Sequence, residues 1–281
     1  GVVLAVRSSF EEVIIPEEVR NRAVPVRHQG FVEHEYDAAK IFFTYYGLEL
    51  PSTPLLSPEF RNPLFLKTLC RGLQARGERR LPRGFHGITA TFELFLDAIN
   101  SQLARELGFH RKRPLVRQAL NKFAEALVKT RERWLPLTQA EELVNAFLPG
   151  RSFERSLYRG LVAEGVLVED VLTHKDVGQE EIVFIAYERL ADHLIAKFLL
   201  DKHLDVQAPE AAFAQHAPLG FLHDSKHYVS PGLLEALCVQ IAERTGQELL
   251  ELAPVLKDRW NIGEAFRQSL IWRDPKAFSD T

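Results

Sequence analysis

Arg7 is the residue whose type and position most favour chemistry with a ligand. It follows residues 2–6, a short apolar run rich in β-branched side chains. Such a run is typical of a strand covered on both faces of a parallel sheet. An arginine directly after such a strand lies at the carboxyl edge of the sheet, where α/β folds bind ligands, and its planar charged group suits phosphate oxygens. The same residues also fit a surface arginine that closes a strand.

A second anion-binding position is predicted at the helix start Asn62-Pro63-Leu64. Pro63 suits the first turn of a helix, because the first N–H groups have no intrahelical partners and proline has none to lose. The free N–H groups and partial positive charge of such a terminus favour an anionic ligand. Asn62 is also a preferred N-cap residue, so an ordinary capped helix start explains the same residues.

Other chemistry-bearing patterns are weak or absent. His223 and His227 would share a helix face and could hold a metal, but no third ligand has a useful spacing, and a solvated polar loop is the favoured interpretation. Asp192 and His193 are adjacent, so on a helix they point in different directions. The sequence contains no G-x-x-x-x-G-K-[ST], G-x-G-x-x-G, C-x-x-C, H-E-x-x-H or G-x-S-x-G. It therefore does not support a self-contained NTPase, zinc enzyme or serine hydrolase.

Composition limits the function classes further. The 281 residues are 46% hydrophobic and 26% charged, which favours two or three globular units and excludes disorder. The net charge of −3 provides no basic field for nucleic acid, and two cysteines suit a reducing, cytoplasmic compartment. No apolar run reaches the roughly 18 residues that a bilayer span requires. Because the chain opens on a strand-like run and contains no methionine, we expect an excised fragment of a longer protein.

Hydrophobic periodicity predicts a helical bundle over residues 33–130. Helices are expected near 36–46, 64–74, 88–107 and 116–127, with apolar stripes such as Phe92, Phe95, Ile99 and Leu103 facing inward. Ahead of the bundle, residues 23–27 are predicted as an edge strand, since Pro25 cannot donate to a ladder. With residues 2–6, this segment would form the last strands of an α/β layer.

A different pattern begins at Pro136. Thr138 and Glu141 have the spacing of a capping box, and helices are expected to residue 147 and over residues 153–164. Strands at 166–171 and 182–187 then form a hairpin, which a helix over 188–203 follows. Two helices and a hairpin are typical of a winged-helix domain. Residues 205–281 are predicted to be helical again, with helices that start at Pro231 and run over 265–272.

This order of parts resembles the second half of a STAND NTPase, the class that includes NACHT and NLR-type switches. Four stretches carry the likeness: residues 2–8 resemble the sensor 1 strand, 30–46 the opening helix of the helical domain, 62–70 its proline motif, and 184–194 the last strand and helix of the winged-helix domain. The last stretch, together with residues 232–237 and 269–273, is most similar to the bacterial antiviral STAND ATPases.

The resemblance implies a mainly α fold with four parts. Residues 1–28 would end an α/β P-loop NTPase core, 29–135 would form a helical domain, 136–204 a winged-helix domain, and 205–281 the start of a C-terminal helical sensor region that repeats would extend. The Walker A and Walker B residues would precede Gly1. The fragment alone is not expected to be an active enzyme.

The resemblance also implies a nucleotide site for ATP or ADP with Mg²⁺ in the full-length parent. Arg7 would lie near the γ-phosphate, and Pro63 would pack on the adenine while Asn62 and Leu64 frame the nucleotide. Tyr187 stands where NLR-type members often place a histidine near the β-phosphate of ADP. A phenol donates one hydrogen bond but does not carry the charge of an imidazolium. No cofactor is expected in the fragment alone.

The implied function is an ATP/ADP-gated signalling switch in antiviral defence. The expected partners are the missing N-terminal NTPase half, an effector domain, further copies of the protein on activation, and a phage protein as the trigger. No membrane partner is expected, and no nucleic acid through this fragment. Two alternatives stay open: a winged-helix DNA-binding transcriptional regulator, and a helical protein-interaction scaffold without a nucleotide.

Overall fold

The structure, a computed structural model, describes residues 15–26, 30–50, 58–61, 63–75, 77–81, 87–174, 178–223, 229–258 and 261–278. Arg7, Asn62 and the strand predicted at residues 2–6 lie outside these ranges. The described part is mainly helical, with a small antiparallel sheet. None of its helices combines the length and apolarity that a membrane span needs.

The described α-helices lie between residues 17 and 272. They are α1 (Glu17–Arg20), α2 (Glu35–Tyr45), α3 (Pro63–Ala75), α4 (Ile88–Leu107), α5 (Leu115–Thr130), α6 (Leu137–Asn145), α7 (Leu157–Ala163), α8 (Glu188–His203), α9 (Pro231–Thr245), α10 (Leu249–Leu252) and α11 (Ile262–Trp272). Short 3₁₀ turns lie at Pro58–Arg61, Phe153–Arg155, Pro209–Phe213, Gly220–His223, Pro254–Asp258 and Pro275–Ala277.

Helices α3, α4 and α5 pack in sequence, and α5 also packs on α8. The apolar stripe predicted for α4 is confirmed as buried, with Phe95, Ile99 and Leu103 at most 1% exposed. α4 ends where Gly108 adopts a left-handed conformation (φ 69°), a common stop for a helix. These stripes are buried because the apolar face of one helix is removed from contact with water when it packs against the apolar face of another.

The sheet contains β1 (Leu135–Pro136), β2 (Leu167–His174) and β3 (Gly178–Ile185), in the order β1-β3-β2. β2 and β3 form the predicted hairpin, in which Leu167 opposes Ile185. β1 adds two antiparallel pairs on the other side of β3, with Leu135 opposite Val183. A two-residue strand leaves no alternating pattern in the sequence, which is why periodicity did not predict β1.

Three local predictions are wrong. Residues 23–26 join none of the described strands, and Val24 and Val26 are 86% and 88% exposed, so the edge strand is absent there. The capping box does not form, because α6 starts at Leu137 after Pro136, which pairs with β3, and its N-cap makes no side-chain hydrogen bond.

The third concerns the helix predicted over residues 153–164, which starts later. Ser156 caps α7 by accepting a hydrogen bond from the Arg159 N–H at 3.1 Å, and a 3₁₀ turn takes up the preceding residues. A serine N-cap satisfies one of the otherwise free amides of the first turn, which explains why the α-helix begins there.

The C-terminal part is built around α9, which packs against both α8 and α11. The predicted start of α9 is confirmed. Pro231 is its first residue, and the Ser230 hydroxyl accepts a hydrogen bond from the Leu233 N–H at 3.1 Å. α8 therefore lies between two groups of helices, with α5 on one side and α9 on the other.

Candidate functional site

Of the predicted nucleotide-binding residues, Pro63, Leu64 and Tyr187 belong to described elements. Pro63 is the first residue of α3 and is partly exposed, as expected for proline at the first helical position. Leu64 is the second residue of α3. Arg7 and Asn62 lie outside the described residues, so their contacts with phosphate or with the helix start stay predictions.

The approach to α3 is held by a close backbone contact. The Phe31 N–H donates a hydrogen bond to the Arg61 carbonyl at 2.7 Å, two residues before Pro63. Gly30 has a φ of +71°, and a Cβ at this position would lie 2.2 Å from the Arg61 carbonyl oxygen. The Arg61 Nε donates a hydrogen bond to the Glu35 carboxylate of α2 at 2.5 Å. The start of α3 is thus anchored to the turn that precedes α2.

Replacement of Gly30 by alanine tests this anchor. We expect a loss of unfolding free energy of at least about 2 kcal/mol, because a left-handed alanine costs roughly 1–2 kcal/mol and the added Cβ also collides with backbone. Gly47→Ala is the matched control, since Gly47 has a φ of +67° but open space around its Cβ position. Equal losses for both variants in urea unfolding would show that the close contact with Arg61 contributes nothing.

Tyr187 lies at the junction between the sheet and α8. It is the residue before the first turn of α8, and its side chain makes no capping hydrogen bond. Its ring meets the Phe95 ring edge to face, with centroids 5.4 Å apart. Tyr187 is half-buried, so its phenol stands at the margin of the core rather than inside it.

An aromatic row joins the start of α8 to the start of α3. The Phe95 ring stacks on Phe65 at 5.5 Å, and Phe65 meets Phe60 edge to face at 5.6 Å. Phe60, Phe65 and Phe95 are each 1% exposed. The two sequence-predicted elements, the helix that starts at Pro63 and Tyr187, are therefore connected through two buried rings, Phe65 and Phe95, and Phe60 packs on the far side of Phe65. Such ring pairs contribute about 0.5–1.5 kcal/mol each beyond the area they bury.

A second cluster joins α8, α9 and α11. Arg189 lies 3.6 Å from the Glu235 carboxylate, and its guanidinium covers the Trp272 ring at 4.7 Å from the centroid. Glu235 is only 7% exposed. These residues come from the stretches 184–194, 232–237 and 269–273 on which the resemblance depends. The structure brings all three stretches to one place.

Arg273 forms a buried ion pair next to this cluster. Its side chain is fully buried and donates two hydrogen bonds to the Glu248 carboxylate, at 2.5 and 2.7 Å, and a third to the Ser269 hydroxyl at 3.0 Å. A two-pronged guanidinium–carboxylate contact is the strong form of an ion pair. It fixes the turn between α9 and α10 against the end of α11.

Asp192 and His193 take different partners, which confirms that they do not form a dyad. Asp192 accepts hydrogen bonds from Arg133 at 2.6 Å and from Ser230 at 3.2 Å. Burial raises the pKa of Asp192, although the Arg133 guanidinium counteracts the shift. The His193 ring instead meets Phe92 at 5.3 Å, and burial lowers its pKa to about 3. Neither group is placed to exchange a proton with the other.

Metal and thiol chemistry find no support in the described part of the chain. It contains no group of three or more His, Cys, Asp or Glu side chains that could hold a metal, and His227 lies outside it. Cys70 and Cys238 are fully buried, and burial raises the pKa of each thiol to about 12. Neither cysteine is a thiolate nucleophile at neutral pH.

One face of α7, the helix that a winged-helix DNA reader would place in the major groove, packs within the fold. Gly160 faces α4 so closely that a Cβ would lie 2.9 Å from a methyl group of Leu103. The Tyr158 hydroxyl donates to Glu169 at 2.9 Å, and Arg159 lies 3.8 Å from the same carboxylate. Arg159, an exposed cation of α7, thus has an acidic neighbour.

Comparisons of the chain with protein-family models, with curated proteins and with solved structures found no match.

Proposed function

We propose that this chain is part of a STAND-type signalling switch that is gated by ATP and ADP and acts in antiviral defence. In this proposal a helical domain and a winged-helix domain close over the nucleotide and control oligomerisation. The observation that carries it is the aromatic row. It connects the helix start assigned to adenine contact with the tyrosine assigned to the phosphate side, through Phe65 and Phe95.

The winged-helix part of the proposal is supported by the order of the elements around the sheet. α5 precedes β1, α6 and α7 follow it, and the β2–β3 hairpin completes a sheet of order β1-β3-β2. A short strand that pairs with the second strand of the hairpin is typical of winged-helix domains. The hairpin leads through Tyr187 directly into α8, so the phenol lies at the joint between the sheet and the next helix.

The row also offers a mechanism for coupling. If α8 moves relative to α3, the Phe95 contacts with Tyr187 or Phe65 must be broken and remade, because close-packed cores change between discrete arrangements. To convert such a switch from mostly closed to mostly open requires a differential affinity of about 5.5 kcal/mol. Contact with a large partner, such as a phage protein, would supply this differential affinity, whereas one contact with the nucleotide would not.

The proposal assigns the remaining components to partners. The phosphates and Mg²⁺ would be held chiefly by an N-terminal NTPase half, with Arg7 at the γ-phosphate and Asn62, Pro63 and Leu64 at the adenine. Activation would assemble several copies and engage an effector domain. This chain alone is then expected to bind ATP and ADP only weakly. The alternative of a DNA-binding regulator is less well supported, because the net charge is −3 and the exposed Arg159 of α7 lies 3.8 Å from the Glu169 carboxylate.

The test uses the complete protein encoded by the reading frame that contains this chain, titrated with a fluorescent ADP analogue. We expect Pro63→Ala to weaken ADP binding about tenfold, the effect of roughly 1.4 kcal/mol of lost contact. Pro231→Ala is the matched control, because Pro231 is also the first residue of a helix but belongs to α9. Identical affinities for these two variants, or no ADP binding by the complete protein, would contradict the proposal.

Two further variants test the phosphate side. Tyr187→Phe removes only the hydroxyl and is expected to weaken ADP binding about tenfold, as for a lost hydrogen bond to a charged group. Tyr36→Phe, at an exposed position of α2, is its control. Arg7→Ala is expected to impair ATP-dependent assembly in size-exclusion chromatography. Wild-type assembly by Arg7→Ala would remove the role given to that residue.

A further inference from the structure

The connection between α4 and α5, residues 108–114, carries a run of basic side chains and is called the basic loop below. Residues 110–113 are His-Arg-Lys-Arg, and Arg111, Lys112 and Arg113 are exposed. Within the part of the chain that the structure describes, none of these three side chains takes part in an ion pair. The basic loop therefore presents three cations to solvent without a carboxylate beside them.

The backbone of the basic loop is fixed by Asn100, a residue of α4 that is only 6% exposed. Its Nδ2 donates hydrogen bonds to the carbonyls of Arg111 and Arg113, each at 3.0 Å, and its Oδ1 accepts from the Val116 N–H at 3.2 Å. The Arg113 N–H also donates to the His110 carbonyl at 2.8 Å. Because the loop is held in one shape, its cations need little backbone ordering when a ligand binds.

The local charge differs from that of the chain as a whole. Residues 105–117 contain five Lys and Arg residues and one acidic residue, Glu106, in a chain whose net charge is −3. Arg117 is paired with Glu93 and with Asp97 of α4, so it adds no free charge. The segment still keeps four cations against one carboxylate. The net charge averages over this excess, which is why it predicted no nucleic-acid partner.

The side chains of the basic loop favour one class of polyanion. Its aromatic residue, Phe109, is half-buried and packs against the core, so the loop lacks the apolar anchor that protein interfaces and membrane-surface segments use. It also lacks an exposed aromatic platform on which single-stranded bases could stack. The phosphates of a duplex require neither feature, since Arg and Lys bind them directly.

We infer that the basic loop binds the phosphate backbone of double-stranded nucleic acid, without sequence preference, through Arg111, Lys112 and Arg113. Guanidinium groups bind phosphate oxygens with two parallel hydrogen bonds, and an ammonium binds them as a point charge. The contact is separate from α7, the helix that a winged-helix reader would use. The inference does not depend on the proposed nucleotide switch.

The test is a fluorescence anisotropy titration of the 281-residue chain with a fluorescein-labelled DNA duplex of 20 base pairs. Three phosphate contacts predict a slope of about −2.7 for log K against log salt, so that binding weakens about fortyfold between 20 and 80 mM salt. A duplex of unrelated sequence is expected to bind equally well. No binding at 20 mM salt, or a strong preference for one of the two sequences, would show that the inference is wrong.

Two unlabelled competitors distinguish the duplex from other polyanions. They are a single-stranded deoxythymidine 20-mer and a peptide of twenty glutamates. Each is expected to displace the labelled duplex only at concentrations at least about tenfold higher than the unlabelled duplex requires, because neither places phosphates at the spacing of a duplex. If either competes as well as the duplex, the basic loop recognises a different class of partner and the inference fails.

Variants of exposed residues locate the contact. Arg111→Gln and Lys112→Gln are each expected to reduce the magnitude of the salt slope by about 0.9, whereas Arg111→Lys keeps the charge and the slope. Lys276→Gln, an exposed lysine after α11, is the control. An unchanged slope in both glutamine variants, or an equal change in the control, would place the binding elsewhere and overturn the assignment.

Discussion

Replacement of Glu248 by alanine is expected to lower the free energy of unfolding by about 3–5 kcal/mol, chiefly the cost of leaving one partner of a buried ion pair unpaired, together with the loss of the capping box that Glu248 forms with Glu251. The Arg273 side chain is fully buried and would keep only the Ser269 hydroxyl as a hydrogen-bond partner. A guanidinium does not lose its proton at neutral pH, so it cannot avoid the cost by becoming neutral. Urea unfolding of the two proteins at pH 7 measures the difference.

The reverse truncation should cost less. Arg273→Met removes the buried charge and leaves apolar volume, while Glu248, which is 29% exposed, can be hydrated. The matched control is Glu264→Ala, whose partner Arg267 is 74% exposed, and for which a change within about 1 kcal/mol is expected. If Glu248→Ala is no more destabilising than Glu264→Ala, the buried pair is not a determinant of stability.

The second large effect is an acid-dependent loss of stability through His193. Burial lowers the pKa of this imidazole to about 3, whereas an unfolded histidine has a pKa near 6.5. Between these two pH values the unfolded chain binds a proton at His193 that the folded chain does not. The neutral imidazole therefore costs the folded state no stability above about pH 6.5, and the free energy of unfolding decreases as the pH falls below that value. At pH 5 the loss amounts to about 2 kcal/mol relative to pH 7.

The variant His193→Leu isolates this contribution. Leucine keeps an apolar contact with Phe92, and the Gln240 amide still donates to the residue 193 carbonyl, which it contacts at 2.8 Å. We expect the change in unfolding free energy between pH 7 and pH 5 to be about 2 kcal/mol smaller in this variant than in the wild type. The exposed His216, replaced in the same way, is the control, and equal pH dependence in all three proteins would contradict the prediction.

The pH dependence of stability must be compared between the wild type and the His193 variant, because other buried groups change the free energy of unfolding with pH in the opposite direction. Burial raises the pKa of Asp192 and of Glu243, so their contributions favour the folded chain at low pH and are lost as the pH rises. The pH profile of the wild type is the sum of both effects. Subtracting the profile of His193→Leu removes the contributions that the proteins share.

Regular helices with one apolar face were predictable from the sequence alone. The stripe through Phe95, Ile99 and Leu103 and the β2–β3 hairpin follow from periodicity and turn residues, which act over a few positions in the chain. Element boundaries were less predictable. The start of α6 depends on the pairing of Pro136 with a strand about 45 residues later, which no local pattern encodes.

The candidate site was likewise predictable from the sequence only in part. Pro63 as the first residue of a helix and Tyr187 before another were evident from residue types and order. Their connection through Phe95 was not, because a phenylalanine in an apolar stripe has the same pattern whatever it contacts. The burial of Arg273 was also unforeseen, since arginine is mostly exposed and only a partner such as Glu248 makes its burial tolerable.

The sequence by itself determined the long helices, the place of the hairpin and which faces are buried, because these depend on local propensity and on a hydrophobic effect that has no direction. Only the tertiary structure decided which side chains meet across the chain. Directional contacts such as the Glu248–Arg273 pair, the Asp192–Arg133 pair and the aromatic row require the packed helices to bring distant residues within a few ångströms of each other.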